Sequence, residues 1–223
     1  AAAKKLPPLP APVQAVLAVC GKPQKTHQVV LGESEVAPAA DGAPTSGEEA
    51  LPKLTSETLQ KIVAVGRDYR ERMSAILESN PLPYELPPLA EALAAGPRKS
   101  PGEKKPALVA AFQPLGFRIR GGSGEFVLRR RTPANLTVTL TIDVGTWGNH
   151  AAASYTVLGP GFSVGVPLPV SVSSVGALQY PAGDAAQWAK IVANFAALTQ
   201  VLDRTMLPAI EALAGPAPAW FEP

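Results

Sequence analysis

Residues 117–131 read FRIRGGSGEFVLRRR, and the pattern of this segment predicts the fold of the second half of the chain. Apolar and charged residues alternate on both sides of a Gly-rich centre, which is typical of a β-hairpin with one buried face. We predict a turn at 121–124 that pairs Arg120 with Glu125. This register places four apolar side chains on one face: Phe117, Ile119, Phe126 and Leu128. The opposite face then carries Arg118, Arg120, Glu125, Val127, Arg129 and Arg131.

Three further strands and a long helix are predicted after the hairpin. Alternation at 136–144 indicates the third strand, and 152–158 and 162–166 are the fourth and fifth. Turn residues separate these segments at short intervals, so the strands are expected to form an antiparallel meander over 117–170. Asp184 can cap a helix over 184–213 whose apolar stripe covers the apolar face of the sheet. Pro208 is expected to kink or split that helix.

The first half of the chain has a different character. Residues 1–105 are rich in proline and are predicted to form a helical extension with its main helix at about 56–79. A second region, 106–223, is predicted to be an α+β domain. It begins with an apolar helix at 107–115, continues through the meander and ends with the long helix. The predicted fold class is therefore α+β, with about five antiparallel strands packed against a long C-terminal helix.

Composition excludes several classes of protein. Charged residues make up 17% of the 223 residues, against about 25% in an average domain. The 46% hydrophobic content is too high for a wholly disordered chain. A net charge of +2 argues against a general nucleic-acid binder, and Cys20 alone cannot form a disulfide scaffold or a Cys-rich zinc site. We expect no transmembrane segment, no metal site and no cofactor.

A possible targeting signal lies near the N-terminus. Residues 17–21, LAVCG, follow Lys4 and Lys5 and resemble the lipobox of bacterial lipoproteins, in which the cysteine is lipidated. Val19 occupies a position where that family has a small residue, and four prolines interrupt the stretch before it. We therefore expect a cytoplasmic protein with Cys20 buried on a short helix, and a periplasmic lipoprotein is the alternative.

The hairpin concentrates positive charge. Residues 117–131 carry five arginines and one glutamate, a net charge of +4, whereas residues 132–223 carry two basic and five acidic residues, a net charge of −3. Arginine binds carboxylates and phosphates through two hydrogen bonds and is enriched at interfaces. The cluster is either solvated, paired with Glu125 and Asp143, or bound to an acidic protein or a nucleic acid. The candidate partner-binding residues are Arg118, Arg120, Arg129 and Arg131, with Trp220 and Phe221 of the tail.

One turn contains residues that could support catalysis. Asp143, His150 and Ser154 could in principle form a hydrolytic set, together with Trp147 and Asn149 of the same turn. No nucleophile-elbow motif surrounds Ser154, and the chain has only two histidines. We therefore expect that the protein is not an enzyme, and a hydrolase at this turn is kept as an alternative.

The size, the predicted meander and the single charged sheet face resemble the small bacterial immunity proteins that mask a cognate toxin. The resemblance covers roughly residues 106–223. It implies a non-catalytic binding protein, of bacterial or phage origin, whose Arg-lined sheet face docks on an acidic toxin surface. A structural subunit of a phage or secretion assembly is the other alternative. In such a subunit the Pro-rich arm at 1–53 and the Trp220–Phe221 tail would interlock copies of the chain, so a homo-oligomer is possible.

Overall fold

The computed structural model describes residues 54–95, 103–122, 124–145 and 150–219. All of these residues belong to one compact unit, 49–223, of the two into which the chain divides. The lipobox-like segment with Cys20, the Pro-rich arm at 1–53 and the tail residues Trp220 and Phe221 lie outside the described residues.

An antiparallel sheet forms the centre of the unit. Its first five strands follow one another in the order β1-β2-β3-β4-β5, so the predicted meander is confirmed. A short sixth strand, which we did not predict, pairs with β4 at His150 and Ala151. The strands are β1 (Arg118–Gly122), β2 (Glu125–Arg131), β3 (Thr137–Asp143), β4 (His150–Gly159), β5 (Phe162–Pro167) and β6 (Tyr180–Pro181).

The register of the first hairpin differs from the prediction. Arg120 pairs with Val127, and Gly122 pairs with Glu125, so the strands continue two residues further towards the turn. Gly121 permits this pairing, because it has a φ of 100° and a Cβ at this position would lie 2.4 Å from the Glu125 carbonyl oxygen. A shift of two residues preserves strand parity, so the predicted assignment of side chains to the two faces is confirmed.

In the described part of the chain, four α-helices precede the sheet. They are α1 (Ser56–Glu71), α2 (Met73–Ser79), α3 (Leu89–Ala94) and α4 (Lys105–Phe112). Thr55 caps α1 by accepting a hydrogen bond from the Thr58 amide at 3.1 Å. The single helix predicted at 56–79 is interrupted at Arg72, where φ is −93° and ψ is 10°.

Helix α1 packs on the sheet rather than extending away from it. It contacts both β5 and the final helix. The helical segment therefore lies in the same compact unit, 49–223, as the meander. Gly66 lies at the contact, because a Cβ there would be 2.2 Å from Cγ1 of Val164.

The long C-terminal helix is α5 (Ala185–Ala214), which has 30 residues. Asp184 caps it as predicted, accepting a hydrogen bond from the Gln187 amide at 2.9 Å. The helix runs through Pro208 without a break, so of the two predicted effects of this proline, a kink or a split, the split is wrong. Buried residues on both sides of the proline hold the helix in place: Met206, Leu207 and Ile210.

A buried asparagine joins three segments of the chain. Asn194 of α5 accepts a hydrogen bond from the Tyr84 amide and donates to the carbonyls of Tyr84 and Val170, at distances of 3.1, 2.8 and 3.0 Å. The Trp188 indole donates to the Lys104 carbonyl at 3.1 Å. These bonds fix the irregular segments before and after the sheet to α5, since buried polar groups must find partners.

The helices leave one face of the sheet open. Side chains such as Leu128, Leu140 and Tyr155 are fully buried on the face that α1 and α5 cover. Arg118 and Arg120 of β1, Arg129 and Arg131 of β2, and the threonines of β3 point to the opposite face. Among the described residues, the helices that contact β4 and β5 lie on the other face, although Thr137 and Thr139 of β3 are themselves buried.

We predict that Gly66→Ala destabilises the protein by roughly 1–3 kcal/mol, because the new methyl group would overlap Val164. The same substitution in an unobstructed helix would stabilise it. Urea denaturation of the single variants and of Gly66→Ala/Val164→Ala measures the coupling. The cost of Gly66→Ala should shrink in the Val164→Ala background, and an equal cost in both backgrounds would contradict the contact.

Asn194→Ala should lower the free energy of unfolding by about 2–4 kcal/mol, since it leaves buried backbone groups of Tyr84 and Val170 without partners. Urea denaturation followed by circular dichroism measures the loss. Gln200→Ala on the exposed side of the same helix is the control and should change stability by less than about 0.5 kcal/mol. Equal effects of the two substitutions would refute the role given to Asn194.

Candidate protein-binding surface

Strand pairing brings four arginines together on the open face of the sheet. Arg118 on β1 and Arg129 on β2 are directly opposite each other. Arg120 and Arg131 lie two residues further along their strands and point to the same side, because side chains alternate. All four side chains are exposed. We call Arg118, Arg120, Arg129 and Arg131 the arginine surface.

The acidic residues of this face, Glu125 and Asp143, lie nearer the hairpin turn than the arginines. Glu125 pairs with Asp143 at the turn end of the hairpin. Among the described residues, the ion pairs use other cations: Lys61 with Glu57, Arg72 with Asp68, and Arg130 with Asp203. The expected alternative, in which Glu125 and Asp143 neutralise the arginines, is therefore absent from the described residues. Arg118, Arg120 and Arg129 keep their positive charge available to a ligand.

The arginine surface lines a depression of about 680 Å³. A volume of this size accommodates several side chains of a partner. Beside it, the same face carries hydroxyl side chains on β3 and β4, of which Thr137 and Thr139 are buried, whereas Thr141, Ser154 and Thr156 are partly exposed. The residues that line the depression are Leu115, Gly116, Arg118, Arg120, Val127, Arg129, Arg130, Arg131 and Thr137.

Arg131 also contributes to the structure of the chain itself. Its Nη1 donates to the Ala219 carbonyl at 3.3 Å. The turn between β2 and β3 holds the same tail, since the Ala217 amide donates to the Ala134 carbonyl at 2.8 Å and Asn135 donates to the Ala217 carbonyl at 3.1 Å. The tail is thus tied to one border of the arginine surface. Trp220 and Phe221, the other predicted site residues, lie outside the described residues.

Comparison with known proteins yields no match. No family model, no curated protein and no solved structure matches this chain. The described residues also contain no group of His, Cys, Asp and Glu that could hold a metal ion, and no helix long and apolar enough to cross a membrane.

Arg130, which lies between Arg129 and Arg131, points to the opposite side of the sheet from the arginine surface. Arg130 forms an ion pair with Asp203 of α5, and the two side chains are 17% and 21% exposed. Its guanidinium carbon lies 5.0 Å from the centre of the Phe117 ring. We did not predict this inward pair, although Arg130 shares its parity with Phe126 and Leu128. Two features of the sequence could have predicted the pair. Arg130 is a charged residue at an apolar-face position of β2, and Asp203 is an acidic residue beside the apolar stripe of the covering helix.

Tyr155 completes a buried polar cluster with this ion pair. Its hydroxyl donates to Oδ1 of Asp203 at 2.7 Å. Burial is the main factor that raises the pKa of Tyr155 far above its usual value. The negative charge of Asp203 and its hydrogen bond to the hydroxyl raise the pKa further, while Arg130 opposes the shift. The cluster lies in the interior, where it connects β2, β4 and α5.

The turn considered for hydrolysis has a different arrangement. Oδ1 of Asp143 accepts a hydrogen bond from the Gly145 amide at 2.7 Å, so this carboxylate stabilises its own turn. Within the described part of the chain, no hydrogen bond or ion pair joins Asp143 to His150 or Ser154. Trp147 and Asn149 lie outside the described residues. The geometry therefore gives no support to a nucleophile and base at this turn.

The free energy of unfolding should decrease above about pH 10 with a contribution from Tyr155. The unfolded chain loses the phenol proton there, while the folded protein retains it because the pKa is raised. The contribution approaches about 1.4 kcal/mol for each pH unit and is absent below pH 10. Urea denaturation across alkaline pH measures it, and Tyr155→Phe should have a shallower slope. An identical slope in both proteins would contradict the assignment.

Proposed function

We propose that this chain is a non-catalytic protein-binding protein whose arginine surface docks on an acidic region of another protein. The supporting observation is that Arg118, Arg120 and Arg129 are exposed, lie side by side and have no ion pair among the described residues. Clustered guanidiniums of this kind attract carboxylates at long range and bind them in pairs of hydrogen bonds at short range.

The arrangement of Arg118 opposite Arg129 favours a binding role over a purely structural one. Like charges directly opposite each other in a sheet are destabilising. A surface optimised only for stability would place an acidic residue at one of these positions. The open face allows an extended partner to approach, because the helices pack on the other side of the sheet.

The docking mode is that of an immunity protein masking a toxin. In this proposal the partner presents an acidic surface, and the arginine surface covers it so that the partner loses access to its own target. Charge complementarity accelerates such an association and makes it sensitive to salt. The two alternatives, a structural subunit and a hydrolase, have no comparable geometric support among the described residues.

The charge of the arginine surface is tested by reversing it. Affinity purification from the native host with Arg118→Glu/Arg120→Glu/Arg129→Glu should lose a stoichiometric partner that the unmodified chain retains. We expect the affinity for the isolated partner to fall about a hundredfold or more. The affinity of the unmodified chain should also fall as salt increases. Coexpression should abolish the partner's toxicity, and the triple variant should fail to do so.

A matched control distinguishes an effect of the arginine surface on binding from an effect of the net charge of the chain. The control variant Arg67→Glu/Lys190→Glu/Arg204→Glu changes the net charge by the same amount at exposed positions on α1 and α5. It should retain the partner. Equal loss in both triple variants would mean that net charge alone matters, and equal retention in both would exclude the arginine surface as the binding site.

A further inference from the structure

The first strand of the meander is an edge of the sheet. β1 pairs with β2 on one side, and no other described strand pairs with it. In the described part of the chain, the backbone of Arg118–Gly122 makes no hydrogen bonds besides those of this ladder. Four of its five residues are exposed. An edge strand in this state presents unpaired amide and carbonyl groups that can pair with another extended chain.

The two sides of this edge differ in chemistry. On the open face, Arg118 and Arg120 project beside the edge, together with Arg129 from the neighbouring strand. On the other face, a mainly apolar groove of about 770 Å³ lies between α4 and the hairpin. Its lining combines Pro106, Val109, Ala110, Gly122 and Phe126 with three charged residues at the start of α4: Glu103, Lys104 and Lys105.

A second copy of this chain is a poor occupant of the edge. Antiparallel pairing of two β1 strands about a twofold axis would place Arg118 and Arg120 beside the same residues of the other copy. Like charges at cross-strand positions repel, and charged residues are a common means of preventing pairing between identical edges. The charge therefore selects an acidic chain and disfavours a basic or identical one.

We propose that β1 binds an extended acidic segment of the partner by strand addition. Alternate side chains of such a segment point to opposite faces of the sheet. Carboxylates at every second position would contact Arg118 and Arg120, and the intervening apolar side chains would face the groove beside α4. This inference rests on the proposed function, and it specifies how the acidic partner is recognised.

A designed peptide tests the backbone contribution. The probe is a fluorescein-labelled peptide of roughly ten residues that alternates Glu and Val, a length typical of one strand. Fluorescence anisotropy measures its affinity for the full chain. A peptide of the same composition with all Glu residues in one block should bind at least about tenfold more weakly, because it cannot place its charges on a single face. A Lys–Val alternating peptide should not bind.

Methylation of backbone nitrogens distinguishes strand addition from simple charge attraction. Methyl groups on every second nitrogen remove donors along one edge of the peptide. Methylation of one alternate set should abolish binding, whereas methylation of the other set should leave it nearly unchanged. Hydrogen exchange should slow at amides of β1 in the complex and remain unchanged in β5 at the opposite end of the meander.

Protein variants complete the test. Arg118→Gln/Arg120→Gln removes charge without adding repulsion and should weaken the alternating peptide at least about tenfold. Lys190→Gln/Arg204→Gln on α5 is the matched control and should leave the affinity unchanged. Circular dichroism verifies that both variants are folded.

The outcomes separate this inference from the proposed function. Binding that depends on the arginines but not on peptide pattern or backbone methylation would overturn strand addition and leave the arginine surface as the proposed docking site. No binding of the alternating peptide would also overturn strand addition, and the affinity purification described above would then decide the proposed function independently. Binding unaffected by Arg118→Gln/Arg120→Gln would contradict both.

Discussion

The structure depends on burial of one face of the meander beneath α1 and α5. Leu128, Leu140 and Tyr155 lie in neighbouring strands and are fully buried under these helices. Because side chains alternate along a strand, burial of this set forces the arginines and threonines to the other side. A slip of one residue would bury four guanidiniums, which is prohibitively unfavourable. The same constraint that forms the core therefore also forms the exposed positive surface.

The polar cluster in the interior adds specificity to this packing. Apolar contacts alone permit several positions of a helix on a sheet, because they have no directional preference. The ion pair between Arg130 and Asp203, with the hydrogen bond from Tyr155, requires one position of α5 relative to β2 and β4. Asn194 acts similarly at another point of the same helix, where it binds backbone groups of two irregular segments. Directional bonds thus define the register between the helical layer and the sheet.

Local patterns in the sequence were sufficient to predict the meander, the face to which each of its side chains points, and the capping of α5 by Asp184. They were insufficient wherever a distant contact determines the structure. The two-residue shift of the hairpin depends on the positive φ of Gly121. The alternation of apolar and charged residues does not predict this backbone conformation. The packing of α1 depends on Gly66 approaching Val164, and β6 depends on pairing with the start of β4. At the candidate surface, the arginines were identified by parity, whereas the inward direction of Arg130 required the position of Asp203.

The facing pair of Arg118 and Arg129 has a consequence for the free protein. Two adjacent guanidiniums repel each other until a carboxylate lies between them. A carboxylate of the proposed partner at that position would replace this repulsion with attraction, so binding of the partner would also raise the thermal stability of the chain. Under the proposed function, the free chain would be the less stable of the two states, and its lifetime in the cell would depend on the abundance of the acidic partner.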